Sequence, residues 1–322
     1  MNFGGFNQLE LENVNANLHP DSYRFQSARA ALYAYCDIEK LKKIYLPNYI
    51  CDSILPALYF LGISVEFYSI DKNLLPNKLP EIERDELSKI VIVNYFGLLN
   101  EEIRTITSLR PEDFIVDNSQ ALFCNHLKGT TSIYSPRKFL GIPDGGFLIT
   151  SSDINMELEE FDSSHFVSHL LLRSAGCVSK GYLEFLKAEE SLECFLPKKL
   201  SSISEYLIKC SDINRVKEKR RENFVIINDF FKEINEIQLP LNNCIPLCYP
   251  LTLSFDVSVL CNDLINSGVF LPRYWSSQNN GNVGETMYGK TLFIPIDERL
   301  SVTDIELLAK LIKEKVLNEY SR

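Results

Sequence analysis

Two residues carry most of the chemistry this sequence offers, Asp117 and Lys138. Asp117 ends the apolar run Phe114-Ile115-Val116, and Gln120 follows three residues later. A carboxylate at the end of an apolar strand is costly unless it is paired. Lys138 lies just past Ser132-Ile133-Tyr134 and precedes the turn Gly141-Ile142-Pro143-Asp144-Gly145-Gly146. A lysine amine held at a strand end can attack a carbonyl carbon as a nucleophile. Each residue also has a plainer reading, Asp117 as a helix N-cap and Lys138 as a solvated loop lysine. The combination says more than either part, because a carboxylate after one strand and a lysine after the next can face each other across a cleft.

The elements that must hold these groups are legible around them. Ala28, Leu32 and Tyr35 fall at helical spacing from Ser27 onward. Lys43-Ile44-Tyr45-Leu46 reads as a short strand ended by Pro47, and Ile54, Leu55, Leu58 and Leu61 as a helical stripe. Ile63, Val65 and Phe67 alternate with polar neighbours, a strand pattern. Ile90-Val91-Ile92-Val93 and Phe114-Ile115-Val116 are continuous apolar runs, as strands buried on both faces of a parallel sheet are. Residues 100–109 read as a helix between them, and Ser132-Ile133-Tyr134 and Phe147-Leu148-Ile149 as two further strands. Strands alternating with helices predict an α/β layer with a mostly parallel sheet. In such sheets ligands bind at the carboxyl ends of the strands, where Asp117 and Lys138 lie.

The second half differs. Residues 152–200 read as helices with loops and 204–235 as one or two helices. Their charge run Lys217-Glu218-Lys219-Arg220-Arg221-Glu222 reads as a solvated helix face. Pro240 to Cys261 and Thr291-Leu292-Phe293-Ile294 read as strands of a smaller α+β unit. Thr303-Asp304-Ile305-Glu306 reads as a capping box opening a last helix with the buried stripe Ile305, Leu308, Ile312 and Val316. The division expected is an N-terminal arm over 1–24, a large α/β domain over 25–205 and a small C-terminal domain over 206–322.

Composition narrows the function. The chain has 322 residues, 45% of them hydrophobic, enough for a sizeable core. Its formal net charge of -10 argues against nucleic acid or an anionic membrane as the main partner, since both need a basic footprint. No apolar run approaches the ~20 residues of a spanning helix. Met1-Asn2-Phe3-Gly4-Gly5 has no signal-peptide pattern, and nine scattered cysteines without a Cys-x-x-Cys pair suit free thiols in a reducing cytoplasm. No metal site is expected, and His126, His165 and His169 read as ordinary side chains. Gly-x-Ser-x-Gly, Walker-type and Gly-x-Gly-x-x-Gly motifs are absent, so hydrolase, ATPase and dinucleotide readings have no local support.

Asp117-Asn118-Ser119-Gln120-Ala121 resembles the Asp-x-x-Gln-Ala segment of the DegT/DnrJ/StrS sugar aminotransferases. Lys138 followed by Pro143-Asp144-Gly145-Gly146 is similar to that family's lysine and acidic-Gly-Gly turn. Leu46-Pro47-Asn48-Tyr49, Ser27-Ala28-Arg29-Ala30-Ala31-Leu32 and Ile294-Pro295-Ile296-Asp297 resemble its outer segments, in order, over roughly residues 24–316. The resemblance implies a fold-type-I architecture, pyridoxal 5'-phosphate as cofactor, an amino-acid donor such as glutamate, a nucleotide-linked keto-sugar acceptor, and a homodimer. It implies that Lys138 holds the cofactor and then moves a proton at the substrate carbon, and that Asp117 keeps the pyridine nitrogen protonated. Gln120 falls near the ring's 3-oxygen. Ser27 and the amides of Ala28 and Arg29 would receive the phosphate at a helix N-terminus, with Ser135 a second candidate. Tyr49 and Asn94 are further cofactor candidates, and Arg137, Arg273 and Trp275 are candidates for the substrate side.

The chain departs from the family pattern in places. Cys51 stands nearest the position of the ring-stacking aromatic, and Asn94 stands where a His is often found. The Gly-Tyr-Asn-x-Arg segment is missing, Gly181-Tyr182-Leu183 being the nearest text. A protein of this fold that binds a ligand or regulates without turnover is the alternative expectation.

Overall fold

The computed structural model describes residues 7–82, 87–276 and 281–320. The N-terminal pentapeptide read above for a signal sequence lies outside them. The chain opens with β1 (Tyr23–Phe25), α1 (Ala28–Ile38), β2 (Lys43–Pro47), α2 (Leu55–Phe60) and β3 (Ser64–Tyr68). It continues with β4 (Ser88–Val93), α3 (Asn100–Thr107), β5 (Phe114–Asn118), β6 (Thr131–Tyr134) and β7 (Gly146–Ile149). Among the described residues these strands form one seven-stranded sheet in the order β1-β7-β6-β5-β4-β2-β3. β6, β5, β4, β2 and β3 run parallel, while β7 and β1 are antiparallel additions at one edge. This is the mostly parallel α/β sheet expected. The central strands are nearly all buried, as the unbroken apolar runs of β4 and β5 require.

β1 was not legible in the sequence. It has three residues, and it is held by pairing Tyr23 with Leu148 and Phe25 with Gly146 on β7. β3 forms the opposite edge, and there the alternation reads differently from expectation: Phe67 is exposed, while Tyr68 is buried and its hydroxyl donates to Val91 O at 2.7 Å. β3 pairs with a strand on one side only, and its Tyr68 turns in to reach β4.

Past the sheet come α4 (Ser168–Ser174), α5 (Val178–Ser191), α6 (Ser202–Lys209), α7 (Ile213–Phe231), β8 (Cys248–Thr252), α8 (Ser258–Asn266), α9 (Gly281–Lys290), β9 (Thr291–Pro295) and α10 (Val302–Tyr320). β8 and β9 pair antiparallel, and α7 packs on α10. The strand reading of Pro240 to Cys261 is corrected by this part of the fold. Only Cys248–Thr252 is strand, and Cys261 belongs to α8, because Val257, Leu260, Cys261 and Leu264 are buried at helical spacing. The capping box also lies two residues earlier than expected. Ser301 Oγ accepts from Asp304 N at 3.2 Å, and Asp304 Oδ2 accepts from Ser301 N at 3.0 Å. Leu308 yields its place in the buried stripe of α10 to Ala309.

The charge run on α7 is not wholly solvated. Arg220 is buried, because Val216, Arg220, Asn223, Phe224, Ile227 and Phe231 share the inward face of α7. Its guanidinium donates to Leu247 O at 2.9 Å, lies 3.5 Å from Glu298 and stacks 4.8 Å over Phe139, the neighbour of Lys138. One cluster of buried apolar side chains runs from sheet residues such as Ile92 and Ile115 to Phe231, Leu251 and Ile312. Among the described residues no helix is long and apolar enough to cross a membrane.

Candidate active site

A cleft of about 250 Å³ opens over the carboxyl ends of β4, β5 and β6. Its floor follows from strand alternation, since residues two apart face the same side. Val91 and Val93 of β4, Ile115 and Asp117 of β5, and Ile133 with Ser135 just past β6 all line it. The same rule turns Asn94 away. Its amide donates to Asn100 Oδ1 at 2.7 Å and Asn118 Oδ1 at 3.0 Å, and its Oδ1 accepts from Leu99 N, so it braces the loop after β4 and does not line the cleft.

Asp117 and Lys138 both line the cleft. Asp117 Oδ1 accepts from Ser119 N at 2.8 Å, which fixes the carboxylate against its own turn. Lys138 closes a short 3-10 turn, Pro136–Lys138, and its ammonium pairs with no described residue. The Gly-Gly turn behind it is anchored by Asp144, which is fully buried. Asp144 accepts from Ser201 N at 2.9 Å and from the hydroxyls of Ser201 and Ser204, at the start of α6. Burial pushes the Asp144 carboxyl up, against these hydrogen bonds, which pull it down.

The far wall is the start of α1. Ser27 is its N-cap, and Ser27 Oγ accepts from Ala30 N at 3.1 Å. A hydroxyl used that way keeps its proton to donate. Ser27, Ala28 and Arg29 line the cleft at the positive end of the helix dipole. Gly146 makes this approach possible, since a Cβ there would fall 2.1 Å from the Ser27 carbonyl carbon and 2.3 Å from Ala28 N. The Arg29 side chain reaches past the cleft to the end of α5, donating to Leu192 O at 3.4 Å and Glu193 O at 3.0 Å.

Gln120 is buried and lines the cleft. Its Oε1 accepts from Phe96 N at 3.0 Å, while its Nε2 is buried without a hydrogen-bond partner. Trp275 also lines the cleft, with its ring 5.0 Å from Tyr49 and 5.6 Å from Tyr274. Tyr49 stands behind it, fully buried and outside the lining, with its hydroxyl donating to Tyr274 O at 2.8 Å. Burial holds that hydroxyl far above the ordinary tyrosine range. Arg273 is directed elsewhere, donating to Tyr288 O at 2.6 Å and stacking on the Tyr288 ring.

The structure adds residues that the sequence did not single out. Ser53, Ile54, Ser119, Glu189 and Leu192 line the cleft; Cys51, which stands nearest the family's ring-stacking position, lines it too, and its thiol donates to Ser53 Oγ at 3.1 Å. Glu189 pairs with Arg137, which also lines the cleft and donates through Nε to Pro143 O at 3.1 Å. Nothing near Glu189 in sequence signals this, because its partner lies about fifty residues earlier, on the far side of β7 and α4. Gly181-Tyr182, the nearest text to the missing family segment, lies inside α5, where Gly181 packs against α4 and Tyr182 is exposed.

The residues fit a phosphorylated pyridine aldehyde. An unpartnered buried amide, an unpaired ammonium, a carboxylate and a helix N-terminus converge on one cleft, and a Cβ at position 146 would collide with the backbone of its far wall. Sheet order, antiparallel edge and cleft position together define the fold-type-I pyridoxal-phosphate transferase architecture. Solved structures bear this out. A DegT DnrJ EryC1 StrS aminotransferase from Brucella abortus superposes with a TM-score of 0.62 at 15% identity, over 91% of this chain and 85% of that one. DesI, solved in the presence of its TDP-sugar product, gives 0.62 at 13% identity over 94% and 83%. Spr1654 of Streptococcus pneumoniae in its PLP form gives 0.59 at 10% identity over 94% and 88%. These likenesses establish the fold. No protein-family profile matches the chain, and no curated protein sequence matches it significantly.

Proposed function

We propose that this chain is a pyridoxal-phosphate-dependent aminotransferase that moves an amino group from an amino acid, glutamate in the first instance, to a keto sugar carried on a nucleotide. The observation that carries the reading is the convergence of Asp117, Lys138, Gln120 and the start of α1 on one cleft. The cofactor, when bound, supplies an electron-withdrawing ring that eases loss of a proton from the carbon next to the amino group. Asp117 would keep a proton at the ring nitrogen. Lys138 would hold the cofactor through its amine and would serve as the base that moves the proton at the substrate carbon. Gln120, whose Nε2 has no hydrogen-bond partner, would donate to the ring's 3-oxygen. Ser27, Ser135 and the first amides of α1 would receive the phosphate.

The sugar acceptor is supported by the solved neighbours, one of which holds a TDP-sugar product. A homodimer, a cytoplasmic location consistent with nine unpaired cysteines, and a boundary near 205 between cofactor-carrying and C-terminal domains belong to the same proposal. The test is a visible absorption spectrum of the protein with pyridoxal phosphate, before and after glutamate, beside Lys138→Ala. A band that needs Lys138 and shifts with glutamate is the expected outcome. Failure to form a band, or a band indifferent to Lys138, transfers the assignment to a ligand-binding protein of this fold.

A further inference from the structure

Arg137, the neighbour of Lys138 in sequence, forms an ion pair with Glu189 inside the cleft. The two partners are held very differently. Arg137 is fixed: its side chain is 17% exposed, and its Nε is tied to Pro143 O at 3.1 Å. Glu189 is 45% exposed and has no second anchor among the described contacts. It also sits in the last turn of α5, where the carbonyl ends of the helix disfavour a carboxylate, and Glu190 stands beside it. The need of that helix end for a cation is already met by Arg29, at Leu192 O and Glu193 O. The pair engages only the Nη2 nitrogen of Arg137, whereas a guanidinium holds a well-placed carboxylate with two parallel hydrogen bonds. His169 on α4 stands near both partners, and burial lowers its pKa.

We propose that Glu189 is a resident stand-in for a ligand carboxylate. In the unliganded protein it occupies the seat that Arg137 offers in the cleft, and the carboxylate of the amino donor takes that seat by displacing it. Displacement costs little, because the departing carboxylate is half in water already and a pair with a half-solvated partner is weak. The incoming carboxylate gains the more enclosed partner and the second guanidinium nitrogen. The device selects for an anionic donor, since a neutral amine leaves the Arg137–Glu189 pair in place. It also makes a distinctive prediction. Removing a residue that merely supports the cleft weakens binding, whereas removing a competitor strengthens it.

The identity of the ligand as an amino donor rests on the aminotransferase reading above, while the anion seat itself does not. The probe is glutarate, an unreactive dicarboxylate, titrated calorimetrically into the cofactor-treated protein beside inorganic phosphate. Glu189→Gln and Glu189→Ala bind glutarate about fivefold tighter than the parent, the worth of one exposed ion pair. Arg137→Gln binds it more weakly, and adding Glu189→Gln to Arg137→Gln changes nothing further. Unchanged or weaker glutarate binding in both Glu189 variants overturns the proposal. So does tightening that survives loss of Arg137, or phosphate gaining as much as glutarate, which would make the seat a phosphoryl site. The two readings fail separately. Protein that forms the Lys138-dependent band but gains nothing from Glu189→Gln loses this inference alone, and protein without the band but with the fivefold gain keeps the seat and loses the aminotransferase.

Discussion

Replacing Gly146 by alanine tests whether the cleft depends on the contact between β7 and α1. The new Cβ would lie 2.1 Å from the Ser27 carbonyl carbon, 2.2 Å from its oxygen and 2.3 Å from Ala28 N. Ordinary contact begins at 3.4 Å, so the two backbones must part by 3.4 − 2.1 = 1.3 Å. Neither side gives easily. Ser27 O accepts from Ala31 N and Ser27 Oγ from Ala30 N, while Gly145 N donates to Gln26 O at 2.7 Å. Overpacking of this kind costs about 1–3 kcal/mol, a loss of several degrees in melting temperature for a chain of this size. The separation also carries the amides at the start of α1 away from the turn that holds Lys138, and a shift of about 1 Å at a reacting geometry costs roughly 10²-fold in rate. The assay pairs a circular-dichroism melt with a visible titration of pyridoxal phosphate. The control is Gly141→Ala in the same turn, where the nearest atom is Leu170 Cδ2 at 4.0 Å. Gly146→Ala behaving like Gly141→Ala in both measurements would refute the reasoning.

Two further outcomes are expected. Gln120→Leu removes both ends of one amide: loss of the acceptor for Phe96 N destabilises the fold by about 1–3 kcal/mol in a denaturant titration, and loss of Nε2 weakens pyridoxal-phosphate binding about threefold to tenfold in the visible titration. Asp297 supplies a pH dependence. Burial pushes its carboxyl up, but the hydrogen bond from Arg299 and the charges of Arg299 and Arg220 outweigh that and hold it below the ordinary 3.8. A carboxyl lowered on folding adds stability above its unfolded pKa and gives it up as pH falls through the folded one. Asp297→Asn is therefore less stable than the parent at neutral pH, and the gap in melting temperature narrows on acidification below 3.8; a gap independent of pH contradicts the assignment.

How much the sequence revealed depended on distance along the chain. β4 and β5 were legible because buried parallel strands show as unbroken apolar runs, and Asp117 was placed by where the second run ends; Lys138 was placed just past Ser132-Ile133-Tyr134, and Ser135 by resemblance. Asn94 was placed wrongly with respect to the cleft for want of counting: with Val91 and Val93 on the floor, the next side chain points the other way. Arg220 was hidden in a run of charges, although Val216 and Phe224, four residues to either side, already marked its face as buried. Tyr49, a cofactor candidate by resemblance, lies outside the cleft lining and behind Trp275, which comes from a loop more than two hundred residues later. Glu189 gave no signal, since an ion pair across the cleft leaves no trace in local spacing.

The walls of the cleft come from Ser27, Cys51, Val93, Asp117, Lys138, Glu189 and Trp275, so every one of them is contributed by a different stretch of chain. Such a site cannot exist in a partly assembled molecule. During folding the helix start that would greet a phosphate must wait for β7 to arrive beside it, and β7 is an antiparallel addition to a sheet whose parallel pairings close long loops and form slowly. A small molecule that recognises the finished cleft therefore has no purchase on intermediates. Its binding reports completion of the whole chain and draws the folding equilibrium toward that end by mass action.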